Sequence, residues 1–177
     1  MTPLTLSLAM CLLVFGTDAR PRATLSQLPA VPETARTALK LSASNQRITY
    51  LTYQNARYGY TVEYPAGILV PQGEADNGDG QKFLSRDGRA ELLAYGSNRL
   101  DRTLQDEYRS AQENREVTYK LIRRDMFVVS GRAGGKIFYQ KTLLRGDVFK
   151  TFIIEYDESE RARFDQITTR IARTFAG

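Results

Sequence analysis

Four side chains in the stretch from Gly73 to Gly80 crowd oxygen ligands together: Glu74, Asp76, Asn77 and Asp79. Oxygen ligands on a flexible backbone are what Ca²⁺ prefers in proteins. The spacing departs from an EF-hand loop, because a glycine stands at the third ligand position and no bidentate glutamate follows. Asn, Asp and Gly are also the residues that turns select. We interpret the stretch as a turn, keep a calcium site as the alternative, and expect no other cofactor.

The residue types that are missing exclude several chemistries. The chain of 177 residues contains no histidine and a single cysteine, Cys11. Ser-His-Asp triads, Cys-His pairs, imidazole bases and histidine-ligated zinc are therefore ruled out. Neither a Gly-x-Gly-x-x-Gly nor a P-loop pattern occurs, so nothing supports a nucleotide cofactor.

Carboxylate, hydroxyl, lysine and arginine chemistry remains. A glycosidase needs two carboxylates across a cleft, and no spacing of acidic residues selects such a pair. Ser130 and Lys136 are separated by a glycine-rich turn, so their pairing is not predicted. The sequence therefore favours a non-catalytic protein, with a carboxylate-based hydrolase of envelope glycans as an alternative.

The first residues predict export. Residues 4–15 form an almost unbroken apolar run, which is too short for a membrane anchor and fits the central region of a secretory signal. Thr17-Asp18-Ala19 supplies small residues for cleavage, although no Lys or Arg precedes the run. We predict a signal peptide over residues 1–19, a periplasmic or secreted mature chain without a transmembrane anchor, and loss of Cys11. A buried N-terminal element is the alternative interpretation.

The elements that would position any site begin after residue 46. Residues 20–46 are rich in Ala, Thr, Ser and Pro and predict a flexible linker or arm, while residues 47–177 predict a single domain. Asp87-Gly88 between two apolar runs indicates a hairpin. Strands are predicted at 48–53, 58–64, 81–85, 90–95, 117–123, 126–131, 136–144 and 148–156, and helices at 103–115 and from Asp157 or Ser159 onward.

These elements define an α+β domain. The last helix carries one apolar stripe of Phe164, Ile167, Ile171 and Phe175, which needs a sheet face to cover it. Short connections make the strands from residue 117 onward an antiparallel meander. We therefore predict an antiparallel sheet with helices packed on its faces.

Two segments carry a family resemblance. Residues 55–65, Asn-Ala-Arg-Tyr-Gly-Tyr-Thr-Val-Glu-Tyr-Pro, resemble the opening strand of PsbP/Mog1-like domains, and residues 170–175, Arg-Ile-Ala-Arg-Thr-Phe, resemble their closing helix. The resemblance implies an α/β/α sandwich that acts as a non-catalytic accessory or binding module, with no catalytic residues to carry over. The Gly73 to Gly80 stretch also resembles small uncharacterised exported proteobacterial proteins.

The charge pattern bears on the partner. Lys and Arg number 25 against 20 Asp and Glu, a net charge of +5. Such an excess favours anionic surroundings, although basic residues at strand ends also protect sheet edges. We predict an envelope protein or an anionic glycan or lipid surface as partner, and no nucleic acid. Candidate contacts are Arg123, Arg124, Arg132, Lys136, Lys141, Arg145 and Lys150.

Overall fold

A computed structural model describes residues Arg47–Gly177, and the predicted signal peptide (1–19) and arm (20–46) lie outside them. The described part contains nine β-strands and two α-helices, the second preceded by a 3₁₀ turn, Glu158–Glu160. The strands are β1 (Tyr50–Asn55), β2 (Tyr60–Pro65), β3 (Leu69–Glu74), β4 (Gly80–Ser85), β5 (Ala90–Asn98), β6 (Glu116–Ile122), β7 (Met126–Ala133), β8 (Lys136–Arg145) and β9 (Val148–Asp157). The helices are α1 (Leu104–Ser110) and α2 (Arg161–Thr174).

Seven strands form one antiparallel sheet in the order β3-β4-β5-β9-β8-β7-β6, and β1 and β2 form a separate two-stranded sheet. The long pairing of β5 with β9 joins the β3-β4-β5 run to the β6-to-β9 meander. Because β5 lies inside the sheet and β6 at its edge, the chain must cross one face between them. Helix α1 lies in that crossover and packs against β7.

Each face of the large sheet carries its own apolar cluster. On one face, the α2 stripe of Phe164, Ile167, Ile171 and Phe175 is buried against residues such as Phe152. On the other face, Leu104 of α1 packs with buried aromatic residues, namely Phe127, Phe138 and Phe149. Neighbouring residues of a strand point to opposite faces, which explains the consecutive apolar residues of the central strands. The predicted α+β fold with helices on the sheet faces is confirmed.

Local sequence signals account for two boundaries. The β4–β5 hairpin turns at Gly88, whose φ of 71° suits glycine. Thr103 caps α1: its hydroxyl accepts a hydrogen bond from the Asp106 backbone amide, while the Asp106 carboxylate accepts one from the Thr103 amide. The hairpin follows the prediction made from Asp87-Gly88.

Three expectations differ from the structure. Strand β3 was not expected, because Pro71 and Gly73 disfavour a strand and only Leu69 of its residues is buried. Helix α1 ends at Ser110, five residues before the predicted end, and Asn114 adopts a left-handed φ of 56° that a helix would not allow. Strands β1 and β2 each begin two residues later than expected. Within residues 47–177, no helix has the length and apolar character needed to cross a membrane.

Candidate functional site

Helix α2 covers only part of its sheet face and leaves a groove beside it. The helix packs against β2, β9 and β8, whereas β7 and β6 extend beyond it. The resulting groove has a volume of about 450 Å³. It is lined by Thr118, Ser130, Gly131, Arg132, Ile137, Phe138, Tyr139, Tyr156, Arg161, Asp165, Thr168, Thr169 and Ala172. Hydroxyl groups and short apolar side chains dominate this lining.

A row of side chains crosses the floor of the groove toward the sheet edge. The strand register places Tyr119 opposite Ser130, and Ser130 opposite Tyr139. Tyr139 stacks on Phe152 with the ring centroids 5.7 Å apart. Burial raises the pKa of Tyr139 to about 12, so its hydroxyl stays protonated at neutral pH. Tyr119, at the outer end of the row, has 52% of its surface exposed.

The charged groups at one end of the groove neutralise one another. Arg132 makes bidentate contacts with Glu158 at 3.0 and 3.2 Å, and Arg161 lies 3.2 Å from the same carboxylate. Arg161 also reaches Asp165 Oδ2 at 3.4 Å. Two arginines and two carboxylates are therefore paired here. We expect the groove to select its ligand by shape and hydrogen bonding more than by net charge.

Two buried hydroxyls on the α2 side differ in their hydrogen bonding. The Tyr156 hydroxyl donates to Asp165 Oδ1 at 2.6 Å, and burial, followed by this carboxylate, raises the Tyr156 pKa. Thr168 is 6% exposed, and its Oγ1 makes no hydrogen bond of good geometry within residues 47–177, although Thr168 is close enough to the Tyr156 hydroxyl to lower the pKa of Tyr156. Buried polar groups are normally satisfied, so this weakly bonded hydroxyl can accept a further bond from a ligand or water.

Strand β6 leaves one side of its backbone open next to the groove. Among the strands of residues 47–177, it pairs only with β7. The Arg123 amide donates to the Met126 carbonyl at 2.8 Å, and hydrogen-bonded pairs alternate along an antiparallel ladder. The amide and carbonyl groups of Lys120 and Ile122 therefore point away from β7. An exposed strand edge of this kind is a template for another strand.

The opposite edge of the sheet is protected. Strand β3 carries Pro71, which has no amide proton to offer, and its register with β4 shifts between Pro71 and Glu74. Strand β6 contains no proline, and its register shift lies at its beginning, between Val117 and Tyr119. The two edges are therefore unequal as acceptors of an added strand.

The structure uses Glu74 of the predicted calcium set in an internal network. Glu74 Oε1 accepts hydrogen bonds from the Tyr53 hydroxyl at 2.6 Å and from Asn55 Nδ2 at 3.0 Å. Asn55 is fully buried, also donates to the Gly78 carbonyl at 2.9 Å, and accepts from the Tyr58 amide at 2.8 Å. Asn55 thus ties the 73–80 loop to β1, a role that sequence reasoning missed.

The other three residues of that set are exposed or half-buried in the loop. Asn77 Nδ2 donates to Asp79 Oδ2 at 2.8 Å, the local bonding typical of turns. The guanidinium of Arg57 donates to the Asn77 carbonyl. No group of three or more His, Cys, Asp or Glu side chains within the described residues is arranged to hold a metal ion. Calcium binding by Glu74, Asp76, Asn77 and Asp79 stays the untested alternative to a simple turn.

Most of the seven basic residues singled out in the sequence make internal contacts. Arg132, Lys136 and Arg145 form ion pairs with Glu158, Asp157 and Asp125. Lys141 donates to the Ala172 carbonyl at 2.7 Å and Lys150 to the Gly59 carbonyl at 3.1 Å, and burial lowers the pKa of both lysines. Within residues 47–177, Arg123 and Arg124 form no ion pair. Arg123, Arg124 and Arg145 lie at one end of the sheet and Arg132 and Lys136 at the other, so the seven residues do not form a single basic face.

Comparison with known proteins supports the fold. The structure is similar to the solution structure of cyanobacterial PsbP (CyanoP) from Synechocystis sp. PCC 6803, with a TM-score of 0.54 and 15% sequence identity. The similarity covers 75% of this chain and 94% of that one. No family model matches the sequence, and no curated protein matches it.

The chain therefore has a PsbP-like fold. This part of the sequence resemblance is confirmed, whereas membership of an exported proteobacterial family stays a prediction. At this sequence identity the similarity shows the fold alone, so the function has to be argued from the groove and the β6 edge.

Proposed function

We propose that this protein is an exported, non-catalytic binding module of the cell envelope, whose groove and β6 edge receive an extended segment of a partner protein. The observation that carries the proposal is the open backbone edge of β6 directly beside the groove. Its outward amide and carbonyl groups belong to Lys120 and Ile122. The neighbouring β6 residue Tyr119 is exposed beside the groove.

The geometry suits addition of a strand. An extended peptide that pairs with a sheet edge gains affinity from backbone hydrogen bonds and specificity from pockets that take alternate side chains. A strand lying beside β6 would direct every second side chain to the α2 side of the sheet, where Tyr119, Ser130 and Tyr139 form a row. The groove then supplies the pocket and β6 supplies the hydrogen bonds.

The chemistry of the whole chain supports a binding role. Without histidine, and with its one cysteine in the predicted signal peptide, the chain lacks imidazole bases and, once that peptide is removed, thiol nucleophiles. Asp165 in the groove lining and Glu158 beside it are paired with arginines and tyrosine, which leaves no free pair of acid and base there among residues 47–177. The signal-like run at residues 4–15 supports an envelope location.

The test compares two substitutions at one position of the edge. Lys120→Pro removes the outward amide proton without taking a hydrogen bond from β7, whereas Lys120→Ala keeps the amide and removes only the charge. Both proteins, and the wild type, are used as bait on solubilised envelope fractions after circular dichroism confirms that they are folded. We expect a partner that Lys120→Ala retains and Lys120→Pro loses. Equal recovery by the two variants, or turnover of an envelope glycan by the wild type, would contradict the proposal.

A further inference from the structure

Leu100 is an unusual residue for its position. It lies in the turn that follows β5, and 84% of its surface is exposed, more than any other large apolar side chain of the described residues. Its φ is 47°, in the left-handed region that glycine and asparagine tolerate and a bulky residue does not. The chain thus holds a leucine in a strained conformation and presents its side chain to solvent. Strain of this kind concentrates at functional positions.

The turn that carries Leu100 is held by hydrogen bonds on both sides. The Arg102 amide donates to the Arg99 carbonyl at 3.0 Å, and the Arg99 side chain donates back to the Arg102 carbonyl at 3.0 Å. The Arg99 amide donates to the Asp147 carbonyl, in the β8–β9 turn, at 2.7 Å. Leu100 therefore projects from a braced support flanked by two arginines.

Three turns meet at this end of the sheet. The register places Val148 opposite both Asn98 and Arg145, which brings the β5–α1 and β8–β9 turns side by side. The Leu144 amide donates to the Asp125 carbonyl at 2.8 Å, and this bond joins the β6–β7 turn to them. We call this surface the Leu100 end. Its charged residues are Arg99, Asp101, Arg102, Arg123, Arg124, Asp125, Arg145 and Asp147.

We propose that the Leu100 end docks on the surface of an anionic phospholipid bilayer, with Leu100 inserted at the boundary between headgroups and acyl chains. The inference is separate from partner binding at the groove and does not depend on it.

The composition of the Leu100 end fits this occupant. Five arginines face three aspartates and Glu107, and the guanidinium group forms bidentate hydrogen bonds with phosphate. Arg102 and Arg145 are engaged by Glu107 and Asp125, whereas Arg99, Arg123 and Arg124 form no ion pair within the described part of the chain. An apolar side chain between cations is the arrangement of interfacial membrane contacts. Each basic residue near an anionic leaflet adds to the attraction, which salt weakens.

The first experiment uses a substitution that relieves the strain. Asparagine tolerates the left-handed region, so Leu100→Asn should unfold at the same temperature as the wild type or higher. Binding is measured by sedimentation with phosphatidylcholine vesicles that contain about one third phosphatidylglycerol, an anionic lipid that attracts basic protein surfaces. We expect partitioning to fall by about fivefold, the loss of one partly buried leucine. Leu51→Asn, at a 50% exposed position of β1, is the matched control and should bind like the wild type.

The second experiment reports the position directly. The chain contains no tryptophan, so Leu100→Trp and Leu51→Trp each introduce a single tryptophan, which can be excited apart from the tyrosines. We expect the emission of the Leu100 variant to shift to the blue with anionic vesicles and to be quenched by brominated lipids. The Leu51 variant should show neither change. These site-specific readouts are independent of whether residues 4–15 are still attached to the purified protein.

Each remaining outcome decides the proposal. Loss of the blue shift in pure phosphatidylcholine vesicles, or on raising the salt concentration, supports the role of the arginines. An unchanged Leu100→Trp spectrum with anionic vesicles overturns the proposal. A blue shift caused by soluble glycerol phosphate or by a purified protein partner, but not by vesicles, also overturns it and assigns the surface to that ligand.

Discussion

The hydroxyl of Tyr156 donates a 2.6 Å hydrogen bond to Asp165 Oδ1 and thereby joins the buried strand β9 to the helix that forms one wall of the groove. Tyr156 is 3% exposed, while the carboxylate it contacts faces solvent. Together with the buried apolar stripe of α2, the bond anchors this wall of the groove to the sheet.

Replacing Tyr156 with phenylalanine tests this contact. We expect the free energy of unfolding to fall by about 1 to 2 kcal/mol, because a bond to a charged acceptor is lost and water replaces it only on the exposed side. Urea denaturation measures the change. Tyr119→Phe is the control, since its hydroxyl makes no hydrogen bond in residues 47–177, and it should change stability by less than about 0.5 kcal/mol. Equal effects of the two substitutions would contradict a special role for Tyr156.

The raised pKa of Tyr139 leads us to predict that the folded protein loses stability in alkali. Its pKa is raised to about 12 in the folded protein, against about 10 in an unfolded chain. Between these values the unfolded chain has released the proton and the folded one keeps it, so stability falls as pH rises above 10. Lys141 and Lys150 act in the opposite direction, because burial lowers their pKa.

Comparison with Tyr139→Phe isolates the tyrosine from these lysines. Denaturation curves are measured between about pH 8 and 11.5, on both sides of the tyrosine reference pKa of about 10. The free energy of unfolding should fall less steeply with pH for the variant than for the wild type. Tyrosinate absorbs at about 295 nm, so absorbance at this wavelength follows the ionisation of the tyrosines. The variant should have fewer tyrosines that ionise only well above about pH 10 than the wild type. Parallel declines for both proteins would show that Tyr139 titrates as an ordinary exposed tyrosine.

Asn55, at the end of β1, should be the most sensitive of the polar residues that hold the 73–80 loop in place. Removing its side chain leaves the Tyr58 amide and the Gly78 carbonyl without their partner in a buried setting. We expect Asn55→Ala to lower the free energy of unfolding by about 3 kcal/mol. Asn77→Ala, in the same loop but exposed, should cost about 0.5 kcal/mol. Chemical denaturation of the two variants side by side would refute this assignment if their costs were equal.

The same loop leads to a prediction about calcium. Glu74 is engaged by Tyr53 and Asn55, and the Arg57 guanidinium contacts the Asn77 carbonyl. A calcium ion would have to displace these contacts and approach a positive charge. We predict no saturable heat in calorimetry with Ca²⁺ up to about 1 mM, the range of weak extracellular sites. A saturable signal that Asp76→Asn and Asp79→Asn abolish would establish the calcium site instead.

The fold could be predicted where a pattern is local. The α2 stripe of Phe164, Ile167, Ile171 and Phe175 and the turn at Asp87-Gly88 follow from helical spacing and turn chemistry, and both are present. Strand β3 was missed because it holds a proline and depends on pairing with β4 rather than on its own residues.

The candidate site could not be predicted in the same way. The row of Tyr119, Ser130 and Tyr139 exists only through the register of three strands, and the groove needs a helix that follows them in sequence. The left-handed conformation of Leu100 goes against the preference of leucine itself, and the residue before it, Arg99, is bonded through its amide to the carbonyl of Asp147, far along the chain. Neither the row of side chains nor the Leu100 conformation could be predicted without knowing which strands are neighbours.

Site-specific photo-crosslinking in the living cell tests partner binding at β6 most directly. A photoreactive phenylalanine analogue replaces Tyr119, which is 52% exposed beside the groove, and in a second strain it replaces Leu51, which is 50% exposed on β1. We predict a discrete crosslinked product of higher mass in the envelope fraction from position 119, which disappears in a Lys120→Pro background and is absent from position 51. Crosslinking from neither position, or equally from both, would contradict the proposal that the β6 edge and its groove bind a partner.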